Sequence, residues 1–95
     1  MIKRYKMKPV IKEAIQYDGS SESHEEICRF VGKKLNVLFN AIIIPTLEGH
    51  MKAQPTDFVV KGIKGEFYPV RIDIFVESYI EVDSNGKEKT DWHTI

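Results

Sequence analysis

The sequence predicts an α+β fold: a mostly antiparallel, strongly twisted sheet or half-barrel of five to seven short strands, with one short amphipathic helix. Three observations carry that expectation. From Leu35 onward, short β-branched and aromatic runs are separated by Gly, Pro and Asn, the punctuation of strands and tight turns. Only around Ile27, Phe30 and Val31 do apolar residues recur at helical spacing. A chain of 95 residues, 42% hydrophobic, has the material for a single core.

Residues 2–6 alternate apolar and basic side chains, as an edge strand protected by lysines does. Pro9 interrupts them, and residues 10–17 read as a second strand. Ile11, Ile15 and Tyr17 fall on one face there, Val10 and Ala14 on the other. Glu13 shares the face of Ile11 and Ile15, and on a core face it needs a partner. Asp18-Gly19-Ser20-Ser21 is a turn. Ser23 followed by Glu26 fits a capping box, which opens a helix over 24–31 that Gly32 closes. Cys28, on or near the apolar stripe, reads as a small buried hydrophobe, and His24 at the helix start as solvent-exposed.

Residues 35–39 and 41–44 read as strands flanking a tight turn at Asn40. The β-branched run Ile42-Ile43-Ile44 suits a central strand buried on both faces, ended by Pro45. Residues 47–50 turn the chain into a strand over 51–53, and Pro55-Thr56-Asp57 turns it again. Residues 58–61 and 66–69 bracket Gly62-Ile63-Lys64-Gly65 as a hairpin. Residues 71–76 read as a short turn or helix before 79–82 resume as strand. Asn85-Gly86 is a further hairpin signal, after which the polar segment with Trp92 and Ile95 either pairs back or forms a tail. The expected division is a single α+β domain over 1–82 and a C-terminal hairpin or tail over 83–95.

Lys plus Arg and Asp plus Glu number 14 each, so the basic excess of a general nucleic-acid binder is missing. The balance is uneven: Lys3, Arg4, Lys6, Lys8 and Lys12 meet no acid in the first twelve residues, whereas the end of the chain is acidic. Either two ends of one sheet attract each other, or a basic face awaits an anionic ligand. A single cysteine permits no intrachain disulfide, and the basic N-terminus lacks the apolar stretch of a secretory signal. The longest aliphatic run, 41–44, is far too short to cross a bilayer. These features lead to an expectation of a cytoplasmic protein with no membrane partner.

Residues 44–49 read I-P-T-L-E-G, residues 57–69 D-F-V-V-K-G-I-K-G-E-F-Y-P, and residues 73–75 D-I-F. With the opening K-R-Y-K-M-K-P-V-I-K-E-A-I-Q-Y-D-G, this pattern resembles a group of short proteins encoded by bacteriophages and prophages. From residue 3 to residue 79 the resemblance spans about four-fifths of the chain. It implies a phage origin, a place in the host cytoplasm and an accessory role during infection, and it supplies no catalytic residues. One departure is local: the group commonly has Gly where this chain has Thr56, before Asp57. A β-branched residue disfavours positive φ, so the turn is of another type or strained.

His24, His50 and His93 form no pair at helical spacing, and one cysteine builds no zinc cage, so no metal and no cofactor are expected. No nucleophile elbow is present, and Ser20, Ser21 and Ser23 are accounted for by turn and cap chemistry. Gly62-x-x-Gly65 is followed by no helix that would cradle a phosphate. Binding fits better. Lys61, Lys64, Tyr68 and Arg71 surround the second hairpin and offer cations for phosphates and a ring for a base. The same alternation also describes the plain solvent face of a half-buried hairpin. A competing surface is the edge at 2–6 or the Trp92 tail, docking on a host protein or on a second copy as a homo-oligomer. The leading expectation is a non-enzymatic protein that sequesters a nucleotide-type signal as a counter-defence. Next stands an inhibitor that binds a host protein directly, and a nucleotide-acting enzyme is a distant third.

Overall fold

A serine and a glycine bracket the first helix, α1 (Ser21–Val31). In the computed structural model, which describes residues 1–89, Ser20 is the N-cap: its Oγ accepts from Ser23 N at 3.1 Å. Gly32, with φ of 88°, ends the helix as expected, its N–H donating to Cys28 O at 2.8 Å. The start differs from the Ser23–Glu26 box. Ser23 is buried, and its hydroxyl accepts from Asp18 N (3.1 Å) and donates to Gln16 O (3.4 Å). That hydroxyl fastens the helix to the strand before it, so the capping role falls to Ser20.

Among the described residues six strands form: β1 (Ala14–Gln16), β2 (Val37–Leu38), β3 (Ala41–Thr46), β4 (Gly49–Ala53), β5 (Phe58–Lys61) and β6 (Phe67–Val70). All pairings are antiparallel, but they make two open three-stranded sheets, ordered β1-β5-β6 and β2-β3-β4. Neither the single sheet nor the half-barrel forms. The split arises at Pro55-Thr56. Asp57 N donates to Gln54 O in a tight turn, and Thr56 N donates to Tyr17 O. The turn thus hands the chain to the end of β1, and β5 enters beside β1 instead of beside β4.

Phe39 and Asn40 both have positive φ, 48° and 64°, the two-residue loop that fits the twist of the β2–β3 hairpin. Pro45 does not end β3, which runs to Thr46. Ile43 N donates to Asn36 O toward β2, and the nitrogen of Pro45, two residues on, faces the same side beyond the end of that short strand. No ladder bond is lost there.

The first strand expected at 2–6 is absent, and Ile2, Tyr5 and Met7 stand exposed. Their spacing breaks parity between Ile2 and Tyr5, so no single face gathers them, and no strand among the described residues pairs with them. The second strand shortens to β1 because β5 ends at Lys61; Ile11 lies beyond it in solvent, and Glu13 is exposed and needs no buried partner. A second helix, α2 (Ile72–Ser78), settles the open reading of 71–76. Residues 79–82 do not resume as strand: one bridge, Val82 to Glu88, is what forms, with Gly86 (φ 80°) in the intervening turn. Trp92, His93 and Ile95 lie outside the described residues.

The core joins both sheets to α1. Tyr17, Ile27, Leu35, Ile42, Ile44 and Val59 pack together with Ala53. Phe30 of α1 meets Phe67 of β6 edge to face at 5.3 Å. The other face of the β1-β5-β6 sheet is covered by α2, where Phe75 stacks on Phe58 at 3.8 Å. Among the described residues no helix is long and apolar enough to cross a membrane.

Candidate functional site

Register decides which side chains meet on the α2 side of the β1-β5-β6 sheet. Ala14 pairs with Val60, and Val60 with Tyr68, so these three share a face. Lys12, two residues before Ala14, continues that face beyond the end of β1. Its Nζ donates to Tyr68 Oη at 3.1 Å and to Tyr79 Oη at 3.3 Å, and lies 5.9 and 5.8 Å from the two ring centroids. Tyr79 follows α2 and stacks on Phe75 at 4.7 Å, which fixes its position.

A half-buried ammonium held by two phenols is charged more firmly than a free one. The bonds it donates to Tyr68 and then to Tyr79 raise the Lys12 pKa above the ordinary lysine value, against a smaller opposing effect of burial. An ammonium has three donors; two are engaged, and one N–H remains for an incoming acceptor. Residues 10–13 and 61–63 line an open cleft of about 340 Å³, Lys12, Glu13 and Lys61 among them.

The four residues singled out by the sequence do not converge. Lys61 pairs with Phe67 and so points to the face opposite Tyr68, although at the end of β5 it reaches the cleft. Lys64 sits at the exposed tip of the hairpin loop, where its backbone N–H donates to Glu66 Oε1 at 2.9 Å. Arg71 is tied to Asp73 at 2.6 Å, and both side chains are exposed. Tyr68 is the one drawn into a cluster, and the partners it finds there, Lys12 and Tyr79, escaped the sequence reading. The signal for Lys12 was its parity with Ala14; it becomes useful only once β1 is known to pair with β5.

A second arrangement was also missed: His24 and Cys28, four residues apart on one helix face. His24 is half-buried rather than exposed, with Nε2 2.7 Å from Leu35 O and 3.4 Å from Cys28 Sγ. The short contact to a carbonyl requires a proton on Nε2, which leaves that nitrogen no lone pair to accept the thiol proton. The pair therefore clamps α1 to the segment leading into β2 and does not make a nucleophile with its base. Among the described residues no group of three or more His, Cys, Asp or Glu is placed to hold a metal. The chain matches no protein-family model, no curated protein and no solved structure.

Proposed function

We propose that this chain acts by binding and not by catalysis, and that its ligand is a small anion bearing a flat ring, of the nucleotide type. The observation that carries the reading is Lys12, held charged between Tyr68 and Tyr79 with one donor free, at the edge of a cleft that Lys61 also lines. Lys12 and Lys61 suit a phosphate, with Glu13 also in the lining, and the rings of Tyr68 and Tyr79, which flank Lys12 outside that lining, suit a base. The cleft lies at the lower end of the volume range of small-ligand sites. Together with the phage-like motifs, this supports an accessory role during infection, most specifically counter-defence by sequestering a nucleotide-type signal in the host cytoplasm. A second reading, direct inhibition of a host protein, is favoured by the exposed apolar and basic residues 1–8.

Denaturing the protein purified from infected cells and weighing what it releases by mass spectrometry tests the first reading. An unmodified nucleotide-type compound is expected. Lys12→Ala and Lys61→Ala should each weaken its capture about tenfold, the effect of losing one charge-assisted contact. Release of a converted product, or capture indifferent to both substitutions, would sink the proposal. Co-purification of a host protein with no small molecule would favour the second reading.

A further inference from the structure

Two stretches of opposite charge lie on the surface, touching at Lys12 and Tyr79 but with no ion pair between them. Residues 1–12 carry five cations and no acid; residues 72–83 carry Asp73, Glu77, Glu81 and Asp83 and no Lys or Arg. The ion pairs among the described residues, Arg71–Asp73 and Lys89–Glu81, do not join one stretch to the other. Both stretches are also apolar. Ile2, Tyr5 and Met7 are 98%, 89% and 86% exposed. Ile72, Val76 and Ile80 are exposed at intervals of four, each directly followed by Asp73, Glu77 or Glu81.

We propose that residues 1–8 of one copy lie along α2 and its continuation to Asp83 on a second copy, and the reverse, in an arm-exchanged dimer. Charge complementarity selects the surface: cations interleaved with apolar residues meet acids interleaved with apolar residues. Chain geometry selects a second copy over the arm's own α2. Residues 1–8 are exposed throughout and so do not lie on the α2 of their own chain, and Pro9, with the extended backbone it imposes on Lys8, stiffens the root of the arm. Its base is held in place, with Lys12 bonded to Tyr68 and Tyr79 and Ile11 close against Gly86. The two-fold exchange uses each arm and each α2 once, which closes the assembly and covers both exposed patches. The dimer is tested apart from the ligand reading, because the arm is residues 1–8 and none of the substitutions below touches Lys12, Lys61, Tyr68 or Tyr79.

Sedimentation of the full chain tests it. A dimer is expected at low salt, with affinity falling about tenfold or more as sodium chloride rises from ~50 to ~500 mM, since exposed charges are screened. The double variants Arg4→Glu with Lys6→Glu, and Asp73→Lys with Glu77→Lys, should each be monomeric. Mixed in equal amounts they should form a heterodimer, because the one reversed arm then faces the one reversed α2 and the native arm faces the native α2. All four positions are exposed, so folding survives the changes, as circular dichroism would verify. A wild-type monomer at ~100 μM in low salt would overturn the proposal at a concentration where weak dimers still form. So would a dimer that persists in both variants, or a mixture that stays monomeric.

Discussion

Thr56 shows how one side chain can oppose its own turn. It occupies the third position of the Gln54–Asp57 turn at φ 81°, after Pro55. That position takes Gly most readily, and a β-branched residue is crowded there. The conformation persists because the turn is bonded from several sides. Thr56 N donates to Tyr17 O at 2.7 Å, Gln16 Nε2 donates to Thr56 O at 3.0 Å, and Asp57 Oδ2 accepts from Gln54 N at 2.8 Å. Of the two outcomes the sequence allowed, a different turn or a strained one, the strained one is realised. Thr56→Gly should therefore raise stability by about 1 kcal/mol, the balance of relieved strain against added freedom of the unfolded chain. A urea midpoint unchanged or lowered at constant slope would contradict this account. The candidate site was harder to read at this scale. Tyr68 was visible as a ring among cations, but Lys12 reaches it only through a strand pairing 46 residues away in sequence, Ala14 with Val60.

Secondary elements were legible where a local rule was sufficient. Gly32 closed α1, Asn40 turned β2 into β3, and the glycines at 62 and 65 set the β5–β6 loop. In that loop Gly65 has φ of 81°, where a side chain would be strained, whereas a Cβ at Gly62 would meet only the movable end of the Glu66 side chain. Elements that depend on a distant partner were not legible. Residues 2–6 mix apolar and basic side chains as an edge strand does but break parity at Tyr5 and find no partner among the described residues, and the two sheets look like one when strands are counted without their neighbours. The second helix is a case between. At seven residues α2 is too short to stand alone, and Arg71 caps it without a side-chain bond. What holds it is Phe75, stacked on Phe58 on one side and on Tyr79 on the other. Phe75→Ala should cost about 2 kcal/mol, less than a fully buried phenylalanine because the ring is half-exposed. It should also free Tyr79 from Lys12, so ligand capture and stability would fall together. Loss of stability with capture intact would show that Tyr79 is placed by something other than α2.

At the scale of the molecule, two separate sheets raise the question of whether they melt separately. Their hydrogen bonds are independent, since no ladder joins β1-β5-β6 to β2-β3-β4. Their side chains are not. Tyr17 and Val59 come from the first sheet or its margin, Ile42, Ile44 and Ala53 from the second, and Ile27 from α1, all in one cluster. The Tyr17 hydroxyl, moreover, donates to Asn40 in the β2–β3 turn, at 3.1 Å to its backbone oxygen. Each sheet has one face that only the other sheet and the helix can cover. Neither has enough strands or apolar area to persist alone once that face is opened. Cooperative unfolding in one transition follows. Ile42→Ala, which empties a fully buried position on β3, should cost about 3 kcal/mol. The loss should be felt equally by the amide of Ile43 in the second sheet and that of Lys61 in the first, bonded to Asn36 O and Glu13 O. Native-state hydrogen exchange would read both amides in one experiment. Equal loss of protection means a single core; Lys61 keeping its protection while Ile43 loses it would mean that the sheets are separate folding units and that the shared cluster does not couple them.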